Sequence, residues 1–102
     1  MYSVSFEKQD NVLTVKPEGR LDTATSPILE SGLQRYMDKA QEVIMDFSNL
    51  EYISSGGIRL LLTTEQALEK RGGTMKLIHV NDYILNILDL VGFTDILTIV
   101  RD

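Results

Sequence analysis

Two adjacent serines followed by two glycines, Ser54-Ser55-Gly56-Gly57, are the residues of this sequence best suited to chemistry. An apolar strand pattern precedes them and an Ile/Leu-rich segment follows, so we predict that they open a helix. A helix start presents unpaired N–H groups and about half a positive charge, and it accepts an anion such as phosphate. Glycine has no Cβ and permits close approach of a backbone or a phosphate. Ordinary helix capping is the alternative explanation for the serines.

Three other side chains are candidates for acting with these serines. Asp22 precedes a predicted helix and Asp46 lies near the end of a predicted strand, and we place both on the same rim of the sheet as Ser55. A turn-forming or capping role is the alternative for each carboxylate. The single histidine, His79, lies near the end of a later strand. We expect it to be structural, because service as a base for Ser55 would require a geometry that sequence does not supply.

The elements that must position these residues alternate between strand and helix. Apolar patterning predicts strands over about 2–6, 12–15, 43–47, 75–80 and 96–100, and helices over about 26–39, 55–71 and 82–91. Candidate caps and stops for the helices are Ser26, Pro27, Gly72, Gly73, Asn81 and Gly92. Lys16-Pro17-Glu18-Gly19 is expected to end or kink the second strand, and a loop is expected between Asp46 and the serines. Apolar spacing assigns core positions to Tyr36, Met37, Met75 and Val91, among others.

Strands that alternate with helices imply parallel pairing and right-handed crossovers. The predicted fold class is therefore α/β, with a mixed β-sheet of about four to five strands and helices packed against it. The 102 residues, 1–102, are expected to form a single domain.

Composition excludes several classes of function. The sequence has ten Lys and Arg and 15 Asp and Glu, which gives a formal net charge of −5, and it contains no cluster of Lys and Arg. We therefore expect neither direct nucleic-acid binding nor binding to an anionic membrane surface. The absence of cysteine removes disulfides and thiolate metal sites. No apolar run approaches the ~20 residues of a membrane span and the N-terminus lacks a signal-peptide pattern, so we expect a cytoplasmic protein without membrane insertion.

Three motifs, in order along nearly the whole chain, resemble the STAS family and within it the anti-sigma factor antagonists. The segment Gly19-Arg20-Leu21-Asp22 before a helix is similar to the family's G-x-[LI]-D motif. The strand Val43-Ile44-Met45-Asp46-Phe47-Ser48 is similar to one that ends in D-[LF]-S. Tyr52-Ile53-Ser54-Ser55-Gly56-Gly57-Ile58 is similar to the signature of an aromatic, an apolar residue and D/S-S-x-G-[LI].

The resemblance implies a phosphorylation switch at Ser55. A partner that is both anti-sigma factor and serine kinase phosphorylates this serine, and a serine phosphatase resets it. The unphosphorylated antagonist binds the anti-sigma factor and frees a sigma factor, whereas the phosphorylated form dissociates from the anti-sigma factor. ATP and magnesium would belong to the kinase, so this chain is expected to have no catalytic residue, no metal, no cofactor and no small-molecule ligand. The implied partner-binding residues are Asp22, Thr23, Asp46, Ser54, Ser55, Gly56 and Gly57.

Two positions depart from the family pattern. Many members have Asp where this chain has Ser54, and Ser, Thr or Ala is frequent at the position of Gly56. The first departure leaves two adjacent hydroxyls, so Ser54 is the alternative acceptor. It also removes a carboxylate that would contact the kinase or its magnesium.

Other functions fit the residues less well. A hydrolase triad of Ser55, His79 and either aspartate lacks the G-x-S-x-G elbow. A nucleotide-binding protein would need a phosphate-binding loop or a G-x-G-x-x-G fingerprint, and neither is present. Within the family, the alternative is a STAS subunit of a transporter or a signalling scaffold that acts by protein–protein binding without sigma-factor control.

Overall fold

The computed structural model describes residues 3–100, and within that range the chain forms six strands and three α-helices. Tyr2 of the first predicted strand and the terminal residues of the predicted domain lie outside the described residues. In order, the elements are β1 (Ser3–Gln9), β2 (Val12–Leu21), α1 (Ser26–Tyr36), β3 (Glu42–Asp46), β4 (Leu50–Ile53), α2 (Ser55–Lys70), β5 (Thr74–Ile78), α3 (Asp82–Leu90), a 3-10 turn (Phe93–Asp95) and β6 (Thr98–Ile99).

The strands form one mixed sheet in the order β1-β2-β3-β5-β6, and β4 pairs with the end of β2. β1 and β2 are an antiparallel hairpin. The other pairings in the described range are parallel, as crossovers through helices require. The predicted α/β class with a mixed sheet and packed helices is confirmed. The described sheet reaches six strands because the segment predicted as a loop after Asp46 contains β4.

β2 is longer than predicted, because Pro17 does not end it. The β2 residues that pair with β3 are Val12–Val15 and those that pair with β4 are Gly19–Leu21. Pro17 lies between these two segments, so neither parallel ladder needs the N–H that proline lacks. A register shift between Gly19 and Arg20 follows. The extension carries Leu21 to a position opposite Ile53, directly before the two serines.

The core lies between the sheet and the helices, and the predicted core position Met75 is buried there. Two predicted core positions are wrong: Tyr36 is 42% exposed and Val91 is 50% exposed. α1 ends at Tyr36 rather than near residue 39, and Val91 follows the last residue of α3. The Tyr36 ring lies 5.1 Å from that of Phe6 on β1, so it packs at the exposed margin of the sheet rather than in the core. Met37 is partly buried against the core.

The helix boundaries follow the predicted caps in most places. The side chain of Asn81 accepts a hydrogen bond from the N–H of Ile84 at 2.8 Å and caps α3. Gly72 and Gly92 have φ values of +78° and +80° after α2 and α3, the left-handed conformation expected of helix stops. Ser26 is not the cap of α1, because Thr25 occupies that position and Ser26 is already helical. No helix between residues 3 and 100 combines the length and apolar character needed to cross a membrane.

Candidate functional site

The serine turn, defined here as Ser54–Gly57, is held against the end of β2. Leu21 pairs with Ile53, and the N–H of Ser54 donates to the carbonyl of Leu21 at 2.9 Å. The N–H of Ile58 then donates to the carbonyl of Ser54, also at 2.9 Å, and forms the first turn of α2. The predicted helix start at these serines is confirmed. The register of β4 on β2 therefore determines where both hydroxyls lie.

The two serines of the turn differ in accessibility. Ser55 is exposed as the first residue of α2. Ser54 occupies the N-cap position, but its side chain makes no capping hydrogen bond. The Oγ of Ser54 is buried and has no hydrogen-bond partner in the described part of the chain. Simple capping does not account for this hydroxyl, and only Ser55 presents an accessible one.

The glycines of the turn have separate roles. A Cβ on Gly57 would lie 2.9 Å from the carbonyl oxygen of Leu21 and 2.9 Å from side-chain carbons of Leu21 and Ile53. Only glycine therefore allows α2 to approach the paired strands this closely. A Cβ on Gly56 would meet Thr23 Oγ1 at 3.4 Å and Ser54 Oγ at 3.7 Å, which are ordinary contacts. Gly57 is required by packing, whereas Gly56 leaves space beside two hydroxyls.

Asp22 lies beside the serine turn, in the loop between β2 and α1. Its Oδ1 accepts the N–H groups of Ala24 and Thr25, each at 3.0 Å, and contacts the hydroxyl of Thr25 at 3.1 Å. The hydrogen bond from the Thr25 N–H is the main reason that the pKa of Asp22 is lowered, with further contributions from the Thr25 hydroxyl, the Ala24 N–H and the charge of Arg20. Asp22 is thus an ionised carboxylate that holds the loop, which matches the turn-forming interpretation.

Asp46 is not on the rim where the sequence places it. Its Oδ1 accepts the N–H of Ser48 at 3.0 Å and shapes the turn after β3. On β2, Met45 lies opposite Val15, whereas Ile53 lies opposite Leu21. Val15 and Leu21 are six residues apart on β2, which corresponds to about 20 Å of strand. The structure therefore brings Asp22 and Thr23 to the serine turn and leaves Asp46 at the end of β3.

His79 also lies away from the serine turn. It follows β5, is exposed and has a φ of +57°. Its neighbour Ile78 pairs with Asp46, so His79 is level with the end of β3 rather than with Ser55. Nothing in this placement supports a base for Ser55. Between residues 3 and 100, no group of three or more acidic or histidine side chains is arranged to hold a metal ion.

A groove between α1 and α2 opens beside the serine turn, and sequence analysis missed it. Its volume is about 240 Å³, and its lining includes Thr23, Pro27, Glu30, Gly56 and Arg59. Arg59 belongs to the motif that begins at Tyr52, but its position on the helix face beside α1 depends on helix packing. The groove brings the cation Arg59 and the carboxylate Glu30 to one space that Gly56, the residue after Ser55, also lines.

A second feature missed in the sequence is a row of stacked side chains from three elements. The Arg20 guanidinium lies 4.2 Å from the centre of the Tyr52 ring, and the rings of Tyr52 and Tyr83 are 6.3 Å apart. Arg20 and Tyr52 are partners in the β2–β4 register. That pairing follows the register shift in β2, so the sequence contains no local signal for it.

Comparison with known proteins agrees with this architecture. The model of the family described as STAS domain matches residues 3–102. The chain is 23% identical over 97 residues to the anti-sigma-B factor antagonist of Bacillus subtilis, covering 95% of this chain and 89% of that protein. It is 26% identical over 98 residues to the anti-sigma F factor antagonist of Paenibacillus polymyxa, covering 94% of this chain and 84% of that protein.

Solved structures share the fold at lower sequence identity. An anti-sigma factor antagonist from Mycobacterium paratuberculosis superposes with a TM-score of 0.88 at 21% identity, covering 100% of this chain and 87% of that one. The anti-sigma factor antagonist SpoIIAA in its unphosphorylated form superposes with a TM-score of 0.83 at 16% identity, covering 98% of this chain and 90% of that one. The murine anion transporter Slc26a9 gives 0.72 at 20% identity, covering 84% of this chain and 14% of the transporter. With a family model that spans residues 3–102 and a shared fold, this chain belongs to the STAS domain family.

Proposed function

We propose that this protein is an anti-sigma factor antagonist controlled by phosphorylation of Ser55. In the unphosphorylated state it binds an anti-sigma factor that is also a serine kinase, and a sigma factor is released. Phosphorylation ends that binding, and a serine phosphatase restores it. The observation that carries the proposal is an exposed serine at the first position of a 16-residue helix, beside the loop that contains Asp22 and Thr23. The names of its relatives support the same role.

Accessibility favours Ser55 over Ser54 as the acceptor. A kinase must bring the γ-phosphate of ATP in line with the attacking hydroxyl oxygen. The Oγ of Ser54 is buried, so that approach would require the turn to open. Ser55 is exposed and needs no such rearrangement. We therefore assign the phosphate to Ser55 and leave ATP and magnesium to the kinase.

The energy of such a switch must come from the interface. Shifting a partner from almost fully bound to almost fully free requires about 5.5 kcal/mol. A phosphate at a helix N-terminus is favoured by about 0.3–1 kcal/mol, so the domain itself stays folded. Leaving a charge buried and unpaired in an interface costs about 2–5 kcal/mol or more. Ser55 must therefore lie inside the contact surface, and steric displacement by the phosphate adds to the effect.

The proposed contact surface is the part of the molecule around the serine turn. It comprises Asp22, Thr23, Ser54, Ser55, Gly56 and Gly57. Asp46 would belong to the margin of this surface, because the strand register separates it from the serine turn by about 20 Å along β2. Both partners and the protein would meet in the cytoplasm, where transcription is controlled.

A STAS subunit of a transporter or of a signalling scaffold is the second candidate. The likeness to part of an anion transporter concerns the fold. The two functions differ in their partner, since only the antagonist requires an anti-sigma factor and a sigma factor. Identification of the bound proteins therefore separates them.

The test begins with protein isolated from its native host. Trypsin releases residues 40–59 as one peptide, which contains Ser48, Ser54 and Ser55, and fragmentation mass spectrometry locates any phosphate. We expect phosphate on Ser55 and an anti-sigma factor kinase bound to the unphosphorylated fraction. Phosphate on Ser54 would show that Ser54, and not Ser55, is the acceptor. A transporter subunit as partner, with no phosphate under any growth condition, would refute the antagonist function.

Binding measurements with two variants then test the position of Ser55. Ser55→Asp should weaken the affinity for the purified kinase at least tenfold, which corresponds to about 1.4 kcal/mol. Ser48→Asp is the matched control, because Ser48 is also exposed and lies in the turn after β3. Wild-type affinity of Ser55→Asp, or equal losses in both variants, would contradict the proposed interface.

A further inference from the structure

The serine turn and the loop beside it are too small to form a complete protein interface. A stable interface buries about 800 Å² on each partner and involves roughly 20–30 residues a side. Within the serine turn, Gly57 and the hydroxyl of Ser54 are buried and add little accessible area. A surface that binds a partner through Ser55 must therefore extend onto neighbouring residues.

The stacked row formed by Arg20, Tyr52 and Tyr83 is next to the serine turn. Arg20 and Tyr52 are opposite each other in the β2–β4 register, and the residues that follow them, Leu21 and Ile53, are buried in the core. Because side chains alternate across a strand, Arg20 and Tyr52 point away from that core. Tyr52 lies two residues before the serine turn, which corresponds to about 7 Å of strand. The stacked row and the turn thus form one continuous surface.

The stacked row presents side chains of the kind that protein interfaces use. The Arg20 guanidinium lies 4.2 Å from the centre of the Tyr52 ring, which is 6.3 Å from the ring of Tyr83. Arg20 is exposed and Tyr83 is 54% exposed. Tyrosine and arginine are enriched among the few residues that contribute most of the binding energy of an interface. Side chains already held by stacking also lose less conformational entropy when a partner binds.

The guanidinium of Arg20 has unused hydrogen-bond donors. Between residues 3 and 100 its side chain forms no hydrogen bond and no ion pair, even with Glu51 or Asp82, the acidic neighbours of the two tyrosines in sequence. Asp22 senses the charge of Arg20, but its carboxylate is already bonded by N–H groups of its own loop. The planar fork of a guanidinium matches the two oxygens of a carboxylate. Arg20 is therefore suited to an acidic side chain on another protein.

We propose that the stacked row is a second contact region for the anti-sigma factor kinase, in which Arg20 binds an acidic side chain of the kinase. The Tyr52 ring holds the guanidinium in position, and the exposed ring of Tyr83 packs against the apolar part of the same partner surface. The inference rests on the proposed function, because it concerns the same partner and the same unphosphorylated state. It extends the contact surface from the serine turn onto β2, β4 and α3.

Isothermal titration calorimetry with the full unphosphorylated chain and the kinase that co-purifies with it tests the proposal. Arg20→Gln and Tyr83→Ala should each weaken the affinity at least tenfold. Arg20→Lys should lie between wild type and Arg20→Gln, because lysine keeps the charge and loses the planar fork. Arg20→Glu should weaken binding more than Arg20→Gln, since it places a carboxylate against the acidic group of the kinase. Urea denaturation checks that each variant is folded, and should Tyr83→Ala fail to fold, the Arg20 variants decide the matter.

The chain contains a matched control pair at the far end of α1. The guanidinium of Arg35 lies 5.9 Å from the centre of the Tyr36 ring, and Tyr36 is 42% exposed. Tyr36 is ten residues after Ser26, so about 15 Å of helix separates it from the loop beside the serine turn. Arg35→Gln and Tyr36→Ala should therefore keep an affinity within about twofold of wild type. Equal losses in the two pairs would contradict a contact specific to the stacked row.

The outcomes separate this inference from the proposed function. Wild-type affinity in both Arg20→Gln and Tyr83→Ala would overturn the second contact region. Tighter binding of Arg20→Glu than of wild type would show that the kinase presents a basic group there and would overturn the acidic one. If the variants of the stacked row bind normally while Ser55→Asp loses affinity, the proposed function stands and only this inference fails. If the wild-type chain binds no anti-sigma factor kinase, the proposed function fails and the inference fails with it.

Discussion

Replacing Gly57 by alanine is the sharpest test of how the serine turn is positioned. The added methyl would lie 2.9 Å from the carbonyl oxygen of Leu21, an atom of the sheet backbone that cannot rotate away. It would also lie 2.9 Å from side-chain carbons of Leu21 and Ile53. Overpacking of this kind costs about 1–3 kcal/mol. α2 must therefore shift away from β2 and β4, and the turn that contains Ser55 shifts with it.

The neighbouring glycine provides the matched control. Gly56→Ala is one residue away in the same helix turn, and its nearest contact would be 3.4 Å from Thr23 Oγ1. Both substitutions gain up to about 1 kcal/mol of helix propensity, so that gain cancels in the comparison. We expect Gly57→Ala to be about 1–2 kcal/mol less stable than wild type and Gly56→Ala to be equal to wild type or slightly more stable.

Thermal unfolding followed by circular dichroism measures this difference. For a domain of this size, 1 kcal/mol shifts the Tm by about 4–8 °C, so Gly57→Ala should unfold roughly 4–16 °C below wild type. Urea denaturation gives the free energy of unfolding directly. Equal midpoints for the two alanine variants would show that α2 does not depend on close approach at residue 57, and the account of this turn would be wrong.

Three further predictions concern the contacts that hold the surrounding elements. Arg71 donates to three carbonyls of the α1–β3 loop, so Arg71→Ala should lower the free energy of unfolding by about 1–3 kcal/mol in urea denaturation, and Arg71→Lys by less. Asn81 caps α3 and donates to β4 at 3.0 Å, so Asn81→Ala should cost about 1–2 kcal/mol and Asn81→Asp less, since aspartate keeps the cap. The pKa of Asp22 is lowered below its ordinary value of 3.8 in the folded state, so its contribution to stability is complete above that pH and is lost as the pH falls below it. The stability difference between wild type and Asp22→Asn should therefore shrink on acidification below pH 3.8, as urea midpoints at neutral and acidic pH would show.

Each of these predictions has a result that contradicts it. Equal stability of the alanine and lysine variants of Arg71 would mean that its forked hydrogen bonds contribute nothing. If Asn81→Asp is as unstable as Asn81→Ala, the cap is unimportant and the bond to β4 carries the whole effect. A difference for Asp22→Asn that stays constant with pH would show that its carboxylate is not preferentially ionised in the folded protein.

The sequence by itself determined the elements whose signals are local. Alternating and helical spacing identified the five predicted strands and the three helices, because burial of one face imposes those periods on any sequence. The stops at Gly72 and Gly92 and the cap at Asn81 were also predictable, since each depends on the conformation or the hydrogen bonds of its own turn. The serine turn was located for the same reason, since its residues mark the start of α2.

Only the tertiary structure decided which of these residues meet. β4 is a strand because an extended β2 lies beside it, and its four residues contain no apolar pattern strong enough to predict one. The stagger of β3 and β4 on β2 places Asp22 beside the serine turn and Asp46 far from it. Pairing register depends on residues distant in sequence, so no local pattern encodes it.

The difference between the two serines is a further consequence of tertiary structure. Ser54 and Ser55 are chemically identical and adjacent, and the sequence left both open as acceptors. The hydrogen bond from Ser54 to Leu21 fixes the turn so that one hydroxyl is buried without a partner and the other is exposed. The sequence therefore specified the helix start and its chemistry, and the packing of α2 on β2 and β4 selected the hydroxyl that a partner can reach.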